Sequence, residues 1–129
     1  MTTLSNTWER FQDRDYRNAF AADQLKRGVP FQIRVIRKKR GWSQAELAEA
    51  SGLTQGVISR AEDLNYGNLT FNTALAIAAG FGLAFVGKFV PFSELIREHS
   101  NLSEDSIKDI PTFEEEDRLI ASGHEAGDK

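Results

Sequence analysis

Between Ser43 and Thr54 the chain signals a helix start, a helix stop and a second helix start. That order of signals constrains its fold more than any other feature. Ser43-Gln-Ala-Glu46 is a capping box: the Ser43 hydroxyl accepts from the backbone, and the Glu46 carboxylate reaches back to the cap. A helix therefore begins at Gln44 and continues through Leu47, Ala48 and Ala50. Gly52 ends it after about two turns, because glycine enters the left-handed conformation that a tight stop needs. Thr54 then caps a further helix, Gln55-Gly-Val-Ile-Ser-Arg-Ala-Glu62.

The flanking sequence supplies more helices. Thr7 to Lys26 carries Trp8, Phe11, Phe20 and Leu25 among charges, with Tyr16 and Phe20 as an aromatic pair one turn apart. It reads as an amphipathic helix ending at Gly28. Pro30, whose missing N–H is harmless at a helix start, opens a second helix through Phe31 to Arg40, stopped at Gly41. Leu64 to Leu69 is a loop of turn formers, and Thr70 caps a helix through Leu75, Ile77 and Ala78 that ends near Gly80 to Gly82. The run Leu83-Ala-Phe-Val-Gly-Lys-Phe-Val90 predicts one short β-strand, stopped by Pro91. Phe92 to His99 reads as a short helix. Beyond Ser100 the sequence is polar, with the acidic run Glu114 to Asp117, and is expected to stay mostly disordered until something binds it.

Composition narrows the class. The 129 residues fit one domain with tails, and 40% apolar content with nine Phe and two Trp suffices for a core. The absence of cysteine excludes a disulfide framework and any thiolate site. Neither a membrane-length apolar stretch nor a signal-peptide pattern appears, so a cytoplasmic protein without membrane contact is expected. His99 and His124 are isolated, which gives no metal site. No phosphate-cradling glycine loop and no activated nucleophile motif appears, so neither a cofactor nor a catalytic site is expected.

The net charge of −3 conceals a split. Through Ser100 there are 13 Lys/Arg against 10 Asp/Glu, a net +3; from Asn101 onward there are 3 against 9, a net −6. From Lys26 to Arg60 there are 8 basic residues against 2 acidic, a net +6. A basic middle suits an anionic partner such as nucleic acid.

Two short helices joined by a glycine turn have the layout of a helix-turn-helix. Leu47, Leu53, Ile58 and Ala61 share an inner face, and Ala48 is small where the second helix must cross closely. Gln55, Gly56, Ser59 and Arg60 are left facing outward. Glutamine pairs with adenine and arginine with guanine in the major groove, and the helix N-terminus at Thr54 favours a phosphate. Arg37 and Glu62 are candidates for an internal ion pair. Arg34, Lys38, Lys39 and Arg40 are read as solvated cations. Trp8, Phe11, Tyr16 and Phe20 are read as packing of an N-terminal helix, with a docking face for a partner protein as the alternative.

Ile36 to Glu62, read as one block, resembles the Cro/C1-type (xenobiotic-response-element) helix-turn-helix family of phage repressors and bacterial regulators. The likeness continues through Thr70-Phe-Asn-Thr-Ala-Leu-Ala-Ile-Ala78 and covers roughly Phe31 to Phe85. The resemblance implies a mainly α, λ-repressor-like five-helix DNA-binding domain. In it Gln44 touches phosphate, Gln55, Ser59 and Arg60 face base edges, and Arg37 pairs with Glu62. Asn65, Tyr66 and Asn68 occupy the loop where family members touch phosphate. Two residues depart from the pattern: Ala61 stands where a larger aliphatic is usual, and Gly56 where a reading side chain is common. Gly56 either removes one base contact or admits close approach of the backbone to DNA.

The run after Gly82 resembles the antitoxin-like and regulator branch of that family, in which a strand follows the helical core. An unpaired apolar strand is an aggregation liability, and pairing with a second copy through Phe85, Val86 and Phe89 would relieve it. The domains expected are therefore an N-terminal helical extension (1–28), a Cro/C1-type helix-turn-helix domain (29–82), a dimerisation strand with a short helix (83–100) and an acidic tail (101–129). The function expected is a sequence-specific regulator, a repressor binding a double-stranded DNA operator as a homodimer. The alternative is the antitoxin of a toxin–antitoxin pair, which inhibits a toxin protein and autoregulates its operon.

Overall fold

A computed structural model describes residues 3–101 and 109–123. Seven helices occupy the described residues: α1 (Thr3–Arg10), α2 (Arg14–Lys39), α3 (Gln44–Ser51), α4 (Gln55–Ala61), α5 (Phe71–Phe81), α6 (Phe92–Asn101) and α7 (Phe113–Ala121). Among the described residues no helix is long and apolar enough to cross a membrane.

The helix boundaries in the middle of the chain follow their caps. The Ser43 hydroxyl accepts from the Glu46 amide at 3.0 Å, and the Ser43 amide donates to the Glu46 carboxylate at 2.7 Å, so both halves of the capping box are made. At the other end of α3, Gly52 takes φ +70°, and the Leu53 amide reaches back to the Ala48 carbonyl at 2.9 Å. Thr54 and Thr70 cap α4 and α5 through their hydroxyls, each accepting at 3.2 Å from an amide three residues on.

The core sits where α2, α3, α4 and α5 meet. Leu47, Ile58 and Ile77 are fully enclosed, and Ile33, Ile36, Ala48, Ala61 and Phe81 are buried around them. Ala61, small for its place in the family pattern, is 2% exposed and belongs to this cluster. α3 packs chiefly against α5 and α4. Its close approach to α5 depends on Gly80, where an added Cβ would lie 3.0 Å from the backbone nitrogen, Cα and Cβ of Ser51. Nothing in the spacing of apolar residues marks that contact.

Four expectations require correction. First, no break separates a helix ending at Gly28 from one starting at Pro30. α2 runs unbroken through both, capped at its start by the Asp13 carboxylate. An interior proline removes one backbone hydrogen bond, at about 3 kcal/mol. Burial of Gly28, Pro30, Ile33 and Ile36 offsets that loss, so tertiary packing overrides the local signal.

Second, residues 83–90 form no strand, and none occurs among the described residues. The run is irregular because a strand needs a ladder partner and this single chain supplies none. Phe85 is half-buried against its own chain, whereas Val86 is 76% exposed and Phe89 fully exposed.

Third, the tail is not wholly disordered. Residues 109–123 lie on the domain, while 102–108 and 124–129 fall outside the described residues. Ile110 packs against the core, Asp109 pairs with Lys39 at 3.5 Å, and the Phe113 amide donates to the Gly82 carbonyl at 2.9 Å. α7 starts on a capping box of its own, Thr112 with Glu115. The polar composition concealed this box.

Fourth, Arg40 is not a solvated cation. Its Nη1 donates to the Phe81 carbonyl at 2.7 Å, its guanidinium lies over the rings of Trp42 and Phe81, and its Nη2 is buried without a partner. Burial pushes its pKa down, against the nearby Glu115 and Glu114 carboxylates, which push it up.

The N-terminal aromatics form a satellite cluster. Phe11 is buried and meets Phe20 and Phe92 edge-on, at centroid separations of 5.1 and 5.4 Å. Phe20 also meets the His99 ring, and Ile96 is buried nearby on α6. α1 and α6 are thereby fastened to the first half of α2, away from the helix-turn-helix.

Gly80→Ala should destabilise the fold by about 1–3 kcal/mol, the range for forcing an extra methyl into a filled contact, despite alanine's better helix propensity. Urea unfolding measures this, and a variant as stable as the parent would show that α3 and α5 can separate freely.

Candidate nucleic-acid interface

The recognition surface begins with what holds α4 in place. Ile58 and Ala61 face the core, so the helical repeat turns Gln55, Gly56, Ser59 and Arg60 outward, and all four are exposed. Their side chains offer amide, hydroxyl and guanidinium groups on one face of one short helix. Such groups read base edges in a major groove, which admits an α-helix. The Arg60 guanidinium lies back along the helix, with Nη1 3.6 Å from where a Cβ on Gly56 would stand. Gly56 itself has ordinary helical geometry and room for a methyl group.

The far end of α4 is fixed by a buried ion pair. Arg37, near the end of α2, donates from Nε to Oε2 of Glu62 and from Nη2 to Oε1 at 2.9 Å, a two-pronged contact. Its Nη1 donates to the Trp42 carbonyl at 2.7 Å. Both side chains are almost fully enclosed. The hydrogen bonds that Arg37 donates to Glu62 raise the Arg37 pKa above its ordinary value, with burial opposing them. Gln44 joins the same group, its Nε2 donating to Glu62 Oε1 at 3.3 Å. The residue expected to touch phosphate thus has one amide hydrogen turned onto the ion pair.

The remaining expected residues divide by position. The Thr54 hydroxyl caps α4. Asn65 and Asn68 are exposed in the loop after α4, and the Asn65 amide donates to the Asp63 carboxylate at 2.9 Å. Phe85, Val86 and Phe89 lie in the run after α5, where Phe85 lines a small pocket together with Arg60 and Ala61 of α4. Sequence reasoning missed the shelf behind the site: Arg40, Trp42 and Phe81, with the two rings stacked at 5.9 Å. An arginine two residues before a tryptophan was the available signal. No group of three or more metal-ligating side chains occurs among the described residues.

Glu62→Ala leaves the Arg37 guanidinium buried without its carboxylate and should cost about 3–5 kcal/mol. The double variant Arg37→Met with Glu62→Leu removes both charges and should recover most of that loss. Denaturant unfolding of the three proteins gives the coupling directly. A single-variant loss below about 1 kcal/mol would place the pair among exposed, weak bridges.

Residues 33–87 match a family model described as helix-turn-helix. The match spans α3, the Gly52 turn, α4 and α5, together with the part of α2 that carries Arg37. No curated protein and no solved structure matches the chain. Residues 33–87 are thus similar to the Cro/C1-type helix-turn-helix family, and that similarity supports a DNA-binding regulator.

Proposed function

We propose that the protein is a sequence-specific repressor that binds a double-stranded DNA operator as a homodimer, in the cytoplasm and on the nucleoid. The observation that carries this reading is the outward face of α4. Gln55, Ser59 and Arg60 are exposed there, on a helix whose other side is locked by Ile58, Ala61 and the Arg37–Glu62 pair. Each subunit would lay α4 in a major groove and occlude the promoter. A twofold dimer would set two such helices about 34–36 Å apart, one turn of the duplex.

One feature supports a dimer. Val86 and Phe89 project from a backbone run whose ladder groups no strand pairs, and exposed apolar residues in such a run invite a second copy. Asymmetric operators are the less economical match for a twofold protein. Phe89→Asp should convert the dimer to a monomer in sedimentation experiments without loss of helical signal. An unchanged dimer would move the interface elsewhere.

A second reading has its own support. α7 is acidic at its start, and it leaves Phe113, Leu119 and Ile120 exposed. An amphipathic helix of that kind fits the antitoxin alternative, with α7 seated on a toxin protein and DNA binding serving autoregulation. A small toxin gene beside this one would favour it.

Selection from random duplex DNA at two salt concentrations tests the main reading, which expects a palindromic motif with half-sites about one helical turn apart. Arg60→Ala should lose about 1–3 kcal/mol and relax preference at one base pair. Gly56→Ala should stabilise α4 by about 0.5–1 kcal/mol and weaken operator binding, since a methyl group there stands between backbone and DNA. A selection that enriches no motif and gives only weak, salt-sensitive binding would reject sequence-specific repression.

A further inference from the structure

On the side of the domain formed by α2, α5 and the C-terminal segment lies a cavity of about 470 Å³. That size falls in the range of small-molecule sites. Its walls are mainly apolar: Val29 and Ile33 from α2, Ile77 from α5, Phe85 from the run after α5, and Ile110 from the segment that crosses over the top. Two polar side chains reach it, Gln32 and Glu116. Both are half-buried, and neither makes a hydrogen bond or ion pair to another described residue.

Glu116 decides the chemistry. Its neighbours on α7 already have partners: Glu115 closes the capping box, and Glu114 and Glu115 lie near enough to Arg40 to raise its pKa. Asp109 pairs with Lys39. Glu116 has no such partner and stands at the edge of an apolar space, where a half-buried carboxylate gains from a cation more than an exposed one does. We propose that this cavity binds a small aromatic or aliphatic amine, its apolar body between α2 and α5 and its ammonium group on Glu116, with Gln32 as the second polar contact.

A second copy is a poorer occupant. Of the residues expected to self-pair, Phe85 belongs to these walls, whereas Val86 and Phe89, the two that project into solvent, do not. The site is independent of the operator reading, because its test needs no DNA.

The test is calorimetric titration of the full chain with 1-naphthylmethylamine, a cation at neutral pH, and with 1-naphthylacetate, an anion of similar size and shape. One saturable site per chain is expected for the amine, with the anion weaker by about fivefold or more, the factor that a partly screened ion pair supplies. Glu116→Gln should bring the two probes within about twofold of each other. Ala84→Trp and Pro111→Trp, each at an exposed position on the rim, should separately abolish amine binding. Circular dichroism melting identifies which of the two retains the fold. No saturable binding of the amine at millimolar concentration, equal binding of both probes by the parent chain, or amine binding that survives in a folded rim variant would each overturn the proposal.

Discussion

The Arg37–Glu62 ion pair is the constraint on which the arrangement of α4, the second helix of the helix-turn-helix, depends. α4 is seven residues long, too short to be stable by its own hydrogen bonds, so its orientation must come from contacts outside it. Ile58 and Ala61 supply burial, but burial is non-directional and would permit the helix to roll or slide. The two-pronged contact from Arg37 is directional. It fixes the last turn of α4 to the end of α2, while the third arm of the same guanidinium holds the Trp42 carbonyl at the entrance to α3. With Gln44 on the same carboxylate, one buried group of charges sets the relation of α2, α3 and α4.

A second fixed distance complements it. Gly80 permits α5 to lie against the end of α3 at backbone range. The Gly52 turn is thus held from both sides, by Ser51 against α5 and by Leu53 folded back on Ala48. Rigid placement of the outward residues follows from packing behind them, and the outward residues themselves contribute little to stability. This separation explains why a glycine at position 56 is compatible with the fold although it lowers helix propensity.

What the sequence made legible was what depends on short-range chemistry. Caps at Ser43, Thr54 and Thr70 and the stop at Gly52 are signalled by residues within one turn of each other. The ion pair was legible through spacing and the family resemblance together. The misreadings all involve distant partners. Pro30 reads locally as a helix start, and only the buried face of α2 shows why the helix passes through it. Leu83 to Val90 reads as a strand because its side chains favour one, yet a strand also requires a neighbour. Residues 109–123 read as a solvated tail until Asp109 and Ile110 are seen against Lys39 and the core. Gly80 carries no sequence signal at all, since its importance lies in Ser51, some 29 positions earlier by the sequence numbering.

The same long-range contacts change the meaning of the charge pattern. Eight basic residues between Lys26 and Arg60 suggest a broad phosphate-binding surface. Arg37 is consumed by Glu62, the half-buried Arg40 lies over Trp42 and Phe81, Lys39 pairs with Asp109, and Arg27 pairs with Asp23 at 3.7 Å. Among the described residues Lys26, Arg34, Lys38 and Arg60 make no ion pair, so half of the apparent basic surface is committed internally. Among the described residues of the acidic segment, Asp109, Glu114 and Glu115 meet the end of α2. Counterion release scales with the phosphates that free cations neutralise. On the operator reading proposed above, a surface with few free cations would leave a larger share of the discrimination to Gln55, Ser59 and Arg60.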